Sequence, residues 1–370
     1  MANDAPGSPP STAPVEATTA PPEPAAKPVT VSDQTILPAS HWQNAPIPDP
    51  IPAEDDGDAD STYSSIQSST ASLTDSILQY RTIHGRTFHS ERGRAQAWTP
   101  NDESQAESMD MNHHLCTLVL DGKLHLAPIP DDVEKVLDIG TGTGVWAMDF
   151  ADLHPAAQVI GTDVSPMQPT WVPPNLQFQI DDANEEEWTW RENEFDFVHV
   201  RALFGSIISW PAFYKEAYRV TKPGGYIEDH EWSVKFGCDD GSVLDDSPMG
   251  QWSKVYWEGG KKFGRTFRVV EDDEQVRGME AAGWKDIVKK DIKVPIGSWP
   301  RGEREKTMGI FSRGMWEADA EGYVLYIWGT VMGWSREEIQ VYIAHLRRQV
   351  RDPNVHSWYL HRIVYARKPE

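Results

Sequence analysis

The chain has 370 residues, 39% of them hydrophobic and 25% charged, and no unbroken apolar stretch of about eighteen residues, which argues against a helical membrane span. A formal charge of −23, from 34 Lys and Arg against 57 Asp and Glu, repels a phosphate backbone, and no compact basic run offsets it, so direct nucleic-acid binding is not expected. Two cysteines, Cys116 and Cys238, cannot build a disulfide framework, and the start of the chain lacks the basic and apolar pattern of a secretory signal; nucleus or cytoplasm is the expected location.

Residues 1–60 hold 13 of the 28 prolines and ten acidic residues against Lys27. Such a segment buries too little apolar surface to offset its ordering entropy, so it reads as a disordered acidic tail. Its plain role is a solubilising extension; the alternative is a partner-binding arm. Residues 61–130 read as a helical cover. Ile66, Leu73, Ile77 and Tyr80 recur at helical spacing before Gly85, and a second helix starts at Asp102, with Met109, Leu115, Leu118 and Val119 on its apolar side and Asp121-Gly122 at its end. From residue 131 short apolar runs alternate with helical stretches. The runs at 135–139, 157–162, 176–180, 195–200 and 225–228 predict βαβ units on a doubly wound parallel sheet, with helical insertions at about 240–265 and 302–350.

The first run leads into Asp138-Ile139-Gly140-Thr141-Gly142-Thr143-Gly144. Alternate glycines let the backbone turn tightly against a ligand, and the helix that follows aims its first amides there. Gly144 comes only two residues after Gly142, and Asp138 precedes the loop, so the dinucleotide fingerprint is not met. An acid ahead of the glycines suits an ammonium group. Asp163, 23 residues beyond Gly140 at a strand end, suits ribose hydroxyls, and Asp181-Asp182-Ala183 at the next strand end suits an adenine amino group. Together these acids describe an amino-acid nucleoside, S-adenosylmethionine.

These segments, with Lys222-Pro223-Gly224-Gly225 before the fifth strand, resemble the class I S-adenosylmethionine-dependent methyltransferases. Gly85-Arg86-Thr87-Phe88-His89, Pro100-Asn101-Asp102-Glu103 and Pro295-Ile296-Gly297-Ser298-Trp299-Pro300 look like the fungal LaeA-like group within them, over residues 80–369. The resemblance implies a seven-stranded Rossmann-like sheet whose final strand, near 356–368, inserts antiparallel beside the fifth and pairs with one near 286–294. It also implies that Asp138 holds the methionine ammonium through the loop, that Gly140, Thr141, Gly142 and Gly144 form the cradle, and that Asp163 binds ribose while Asp182 and Ala183 face adenine, with a helix cap before Asn184 as the alternative for Asp182. Arg201 and Arg86 are candidates for the cofactor carboxylate, with surface ion pairs as the alternative.

Transfer from a sulfonium needs a base only for a protonated acceptor. His230 and Glu228 in Glu228-Asp229-His230-Glu231 are the catalytic candidates, with plain strand-end polarity as the alternative. His113 and His114 are adjacent, point about 100° apart on a helix and do not make a metal pair, so no metal is expected. The aromatic residues Trp232, Trp252, Tyr256, Trp257 and Phe263, followed by Trp299, Phe311, Trp316, Tyr323, Tyr326, Trp328 and Trp334, are candidates for a pocket or for core. The resemblance implies a regulator of secondary metabolism in a nuclear complex, with velvet-type regulatory partners. The alternatives are a biosynthetic O- or N-methyltransferase of a small aromatic metabolite and a cofactor-binding scaffold without catalysis. The acceptor, small molecule or protein, is not specified by the sequence.

Overall fold

The computed structural model describes residue 1 and residues 36–45, 79–90 and 94–370. Most of the expected tail and of the helix expected before Tyr80 lies outside them. Residues 36–45, read as tail, instead pack on the domain. Helix α1 (Ala39–Asn44) buries Trp42, and the Leu37 N–H donates to Gln251 Oε1 at 2.8 Å. Local composition concealed this, because one tryptophan supplies the burial that the surrounding prolines and acids lack.

A hairpin of β1 (Arg81–Ile83) and β2 (Arg86–Phe88) precedes helix α2 (Glu103–Val119). Asp102 caps α2, its carboxylate accepting from Gln105 N, and Asp121 and Gly122, both at positive φ, end it. The α/β part follows as β3 (Lys135–Ile139), α3 (Val145–Leu153), β4 (Gln158–Asp163), β5 (Leu176–Ile180), β6 (Phe195–Arg201), α4 (Trp210–Val220) and β7 (Thr221–Trp232). Next come β8 (Gly237–Cys238), α5 (Pro248–Phe263), α6 (Glu274–Ala282) and β9 (Lys285–Pro295). The chain ends through α7 (Glu303–Ala318), α8 (Ala320–Val324), a π-helical turn (Leu325–Val331), α9 (Arg336–Arg351) and β10 (Ser357–Arg367).

The sheet order is β5-β4-β3-β6-β7-β10, with β9 on β10 and the two-residue β8 beside the start of β10. Strands β3 to β7 are parallel, and β10 runs antiparallel to both β7 and β9. The seven expected strands are therefore present, and β8 is an addition. β7 extends well past the expected 225–228, because pairing with β10 continues from Tyr226 opposite Arg367 to Trp232 opposite His361. Strand order reverses between β3 and β6, so their carboxyl ends open a crevice, where open α/β sheets bind ligands. Aromatic residues of α5, α9 and the π-helical turn, among them Trp252, Trp328 and Tyr342, form a second core beside it. No helix among the described residues is long and apolar enough to cross a membrane.

Candidate cofactor and acceptor site

Beyond β3 the backbone takes positive φ at Gly140, Gly142 and Gly144. A β-carbon on Gly140 would strike Leu203, and one on Gly144 would strike Phe178, so both positions need glycine for space as well as for conformation. Asp138 is buried beneath this loop. Its Oδ1 accepts from His199 Nδ1 at 2.7 Å and its Oδ2 from Thr141 Oγ1 at 2.6 Å, while His199 stacks flat on Trp146. Burial pushes the Asp138 carboxyl up to about 6, against the Thr141 hydrogen bond. Asp138 thus ties the loop to the sheet from below and does not line the cavity.

That cavity, about 180 Å³, is walled by residues 140–143, Asp163, 181–184 and 201–203. Asp163 ends β4, its Oδ2 accepting from Gly142 N and its Oδ1 from Ser165 N, both at 2.9 Å. Burial raises its carboxyl to about 6, opposed by these backbone donors. Arg201 is on the wall at the end of β6, with its Nη1 3.2 Å from His113 Nδ1; His113 Nε2 lies 2.8 Å from Asp149. Asp182 accepts four hydrogen bonds, from Arg94 N, Ala95 N, Asn184 N and Asn184 Nδ2. Residues 95–97 and 99–101, the cover segment before α2, also line this cavity. Trp98 Nε1 anchors that cover on Phe204 O at 3.1 Å.

A second cavity of about 130 Å³ is lined by Trp98, Trp232, Trp252, Tyr256, Trp316 and Tyr323, with Tyr359. It adjoins the first, because Thr99, Met109, Asn112, Ala202 and Ser206 line both. Among the described residues no carboxylate or imidazole lies on its wall. Tyr256 OH donates to Tyr323 O, and Tyr323 OH is 2.8 Å from Ser108 Oγ. Burial drives the Tyr256 and Tyr359 hydroxyls far above their ordinary range and Tyr323 to about 12.

Three sequence expectations need correction. Glu228 and His230 are buried inside β7 and line neither cavity. Glu228 accepts from the N–H groups of Leu126 and Ala127 and from His230 Nε2. Burial works against its charge, but the His230 hydrogen bond and the backbone donors hold it below the ordinary value, so it is a fixed structural anion. Arg86 is also outside both cavities. It donates to Asp102 at 2.5 Å and to Asp319 at 2.7 Å, pinning the hairpin to the start of α2 and to the α7–α8 junction. Gly144 shapes the loop against Phe178 without reaching the cavity wall. Sequence reasoning in turn missed Glu231, which accepts from Leu203 N and Phe204 N and so positions the strip beside both cavities. It also missed Ser165, Asn112 and Ala202; position after a crevice-forming strand was the available signal for Ala202. Among the described residues no cluster of three or more His, Cys, Asp or Glu is arranged to hold a metal.

A family described as "Methyltransferase domain" matches residues 111–287. The methyltransferase pytC of Aspergillus terreus is 34% identical over 313 residues, 84% of this chain and 95% of that protein. A secondary metabolism regulator of Cochliobolus heterostrophus is 32% identical over 294 residues, 78% of this chain and 94% of that one. The chain belongs to the LaeA-like S-adenosylmethionine-dependent methyltransferases. Another relative, the protein-methionine methyltransferase laeA of Emericella nidulans, is 28% identical over 79% of this chain and 77% of its own length. The donor of a LaeA-like methyltransferase is S-adenosylmethionine, and the first cavity fits it. The loop backbone at Gly140 and Gly142, both at positive φ on the cavity wall, the Asp163 carboxylate and the Arg201 guanidinium supply the close backbone approach, anion and cation that an amino-acid nucleoside requires.

Proposed function

We propose that this methyltransferase places S-adenosylmethionine in the loop cavity and a ring-sized apolar part of a small acceptor in the aromatic cavity. The observation that carries this reading is the shared wall between a glycine-loop cavity and one lined by tryptophan and tyrosine. A dry apolar cavity of about 150 Å³ takes a benzene-sized ligand, so the second cavity suits about one ring. The cofactor supplies a methyl group on a sulfonium. In this chain the loop amides and Arg201 would hold its amino-acid end and Asp163 its ribose, while Trp98 and the cover exclude water and align the acceptor. Among the described residues, the titratable groups on the wall of the acceptor cavity are tyrosines, whose hydroxyls burial raises.

The relatives named as secondary metabolism regulators favour a second reading, control of secondary metabolism; with it we propose the nucleus and velvet-type partners that the family resemblance implies, whereas the pathway-enzyme reading puts the chain in the cytoplasm. Metabolite profiling of a deletion strain separates them. Loss of one methyl group from one compound supports the enzyme, and broad loss of many compounds supports the regulator. An Asp163→Ala gene that restores a normal profile, while the purified variant transfers no methyl group, would overturn both in favour of a scaffold without catalysis.

A further inference from the structure

We propose that Gln105 reads a hydroxyl group on the acceptor, carried on the edge of the ring away from the methylated atom. The proposal rests on the reading that the second cavity takes the acceptor. Gln105 lies in the first turn of α2, 2% exposed, and lines that cavity. Its Oε1 is buried without a hydrogen-bond partner among the described residues. Trp316 Nε1 and Tyr359 OH, from the same lining, are buried without partners too, Tyr359 with the Ser312 hydroxyl beside it but outside hydrogen-bond geometry. A buried polar atom left unpaired costs free energy, which a ligand that pairs it returns.

Neighbouring hydrogen bonds decide which end of the amide is the oxygen. Met315 O can only accept, so Ser108 Oγ gives its one proton there, at 3.1 Å. Ser108 must then accept from Tyr323 OH, 2.8 Å away. The Tyr323 oxygen keeps its lone pairs for the Gln105 side chain beside it, which suits the amide Nε2 and leaves Oε1 over. Elsewhere on the wall Tyr256 OH is committed to Tyr323 O and Ser233 Oγ to Glu271. The last torsion of a glutamine is broad, so the amide turns towards a donor at low cost. Helical spacing sets where that donor sits. Gln105, Met109 and Asn112 fall at i, i+4 and i+7 on one face of α2 and line the second cavity, and Met109 and Asn112 also line the first. The methylated atom belongs at that shared end, so Gln105 meets the ring about 6 Å further along, one helical turn from Met109. A hydroxyl there donates to Oε1 and keeps lone pairs for a donor such as Trp316 Nε1, whose ring lies 5.1 Å from that of Tyr323.

The test uses the full chain with S-adenosylhomocysteine bound, the variants Gln105→Leu and Gln105→Met, and phenol, anisole and toluene as ring-sized probes titrated by ligand-observed NMR. Wild type should hold phenol about tenfold more tightly than toluene or anisole, since a site that pairs a hydroxyl rejects analogues that cannot donate. Both variants should lose about tenfold for phenol and bind toluene within about twofold of wild type. Retained S-adenosylhomocysteine affinity shows that a variant is folded, because of the two cavities Gln105 lines only the second. An undiminished preference for phenol in both variants would overturn the assignment. So would anisole binding as tightly as phenol, which would make the cavity a donor to the ring. If wild type holds all three rings equally well, the acceptor-cavity reading stands and the Gln105 inference fails. If it holds S-adenosylhomocysteine and none of the rings, that reading fails and the inference with it.

Discussion

Asp163 and Asp138 show how far single side chains can be read. Asp163 follows an apolar run and a glycine loop at fixed spacing, so its place at the cavity was legible from local pattern. Arg86 was not, because its partners, 16 and 233 residues away, come together only through the fold. If Asp163 binds ribose, Asp163→Ala costs roughly 1.5–3 kcal/mol of cofactor binding, about ten- to a hundredfold in Kd, measurable by calorimetry. The raised carboxyls also set a pH window. Burial favours the protonated form of Asp163, so its contribution to folding improves as pH falls through about 6 towards the ordinary carboxyl value. Ligand binding that needs the anion moves the opposite way. Cofactor affinity should fall about tenfold between about pH 7 and 5, and Asp163→Asn should flatten much of that slope, leaving the share of Asp138.

Whole elements were legible where the signal was local. Helix α2 announces itself through the Asp102 cap, its apolar face and the Asp121-Gly122 stop. The extent of β7 was not, because its length is fixed by β10, more than a hundred residues later; the polar run at 228–231 looks like a strand end and is a strand interior. Helix α1 was hidden in the same way. Trp42 sits edge-on to Tyr342, with ring centroids 5.2 Å apart, and His345 Nε2 is 3.2 Å from Trp42 O. Truncating a buried aromatic costs about 3–5 kcal/mol in a full core, and a short docked helix can partly detach, so Trp42→Ala should lower stability by about 2–3 kcal/mol in urea unfolding. An unchanged midpoint would mean that α1 adds nothing to the fold.

At the scale of the molecule, the sheet and the aromatic lobe each supply one cavity, and the cover lies across both. Sequence reasoning could place the lobe aromatics in one region. It could not separate wall from core, because Trp252 and Trp328 share a cluster and differ only in which side meets the space. Trp316→Ala should enlarge the acceptor cavity, raise KM for a ring-sized acceptor about tenfold and leave cofactor Kd within about twofold, since Trp316 lines only the second cavity. A parallel loss of cofactor affinity would show that the two spaces are one.

The donor wall comes mainly from residues 139–207, and much of the acceptor wall from residues 232–359, joined at a narrow seam that includes Thr99, Met109, Asn112, Ala202 and Ser206. Substitutions in the later segment can therefore drift towards new acceptors while methyl-donor use is retained. A lineage built this way can diversify by duplication, changing what is modified before it changes how. Grafting a relative's lobe onto this sheet, with the seam left intact, is the corresponding engineering route to new specificity.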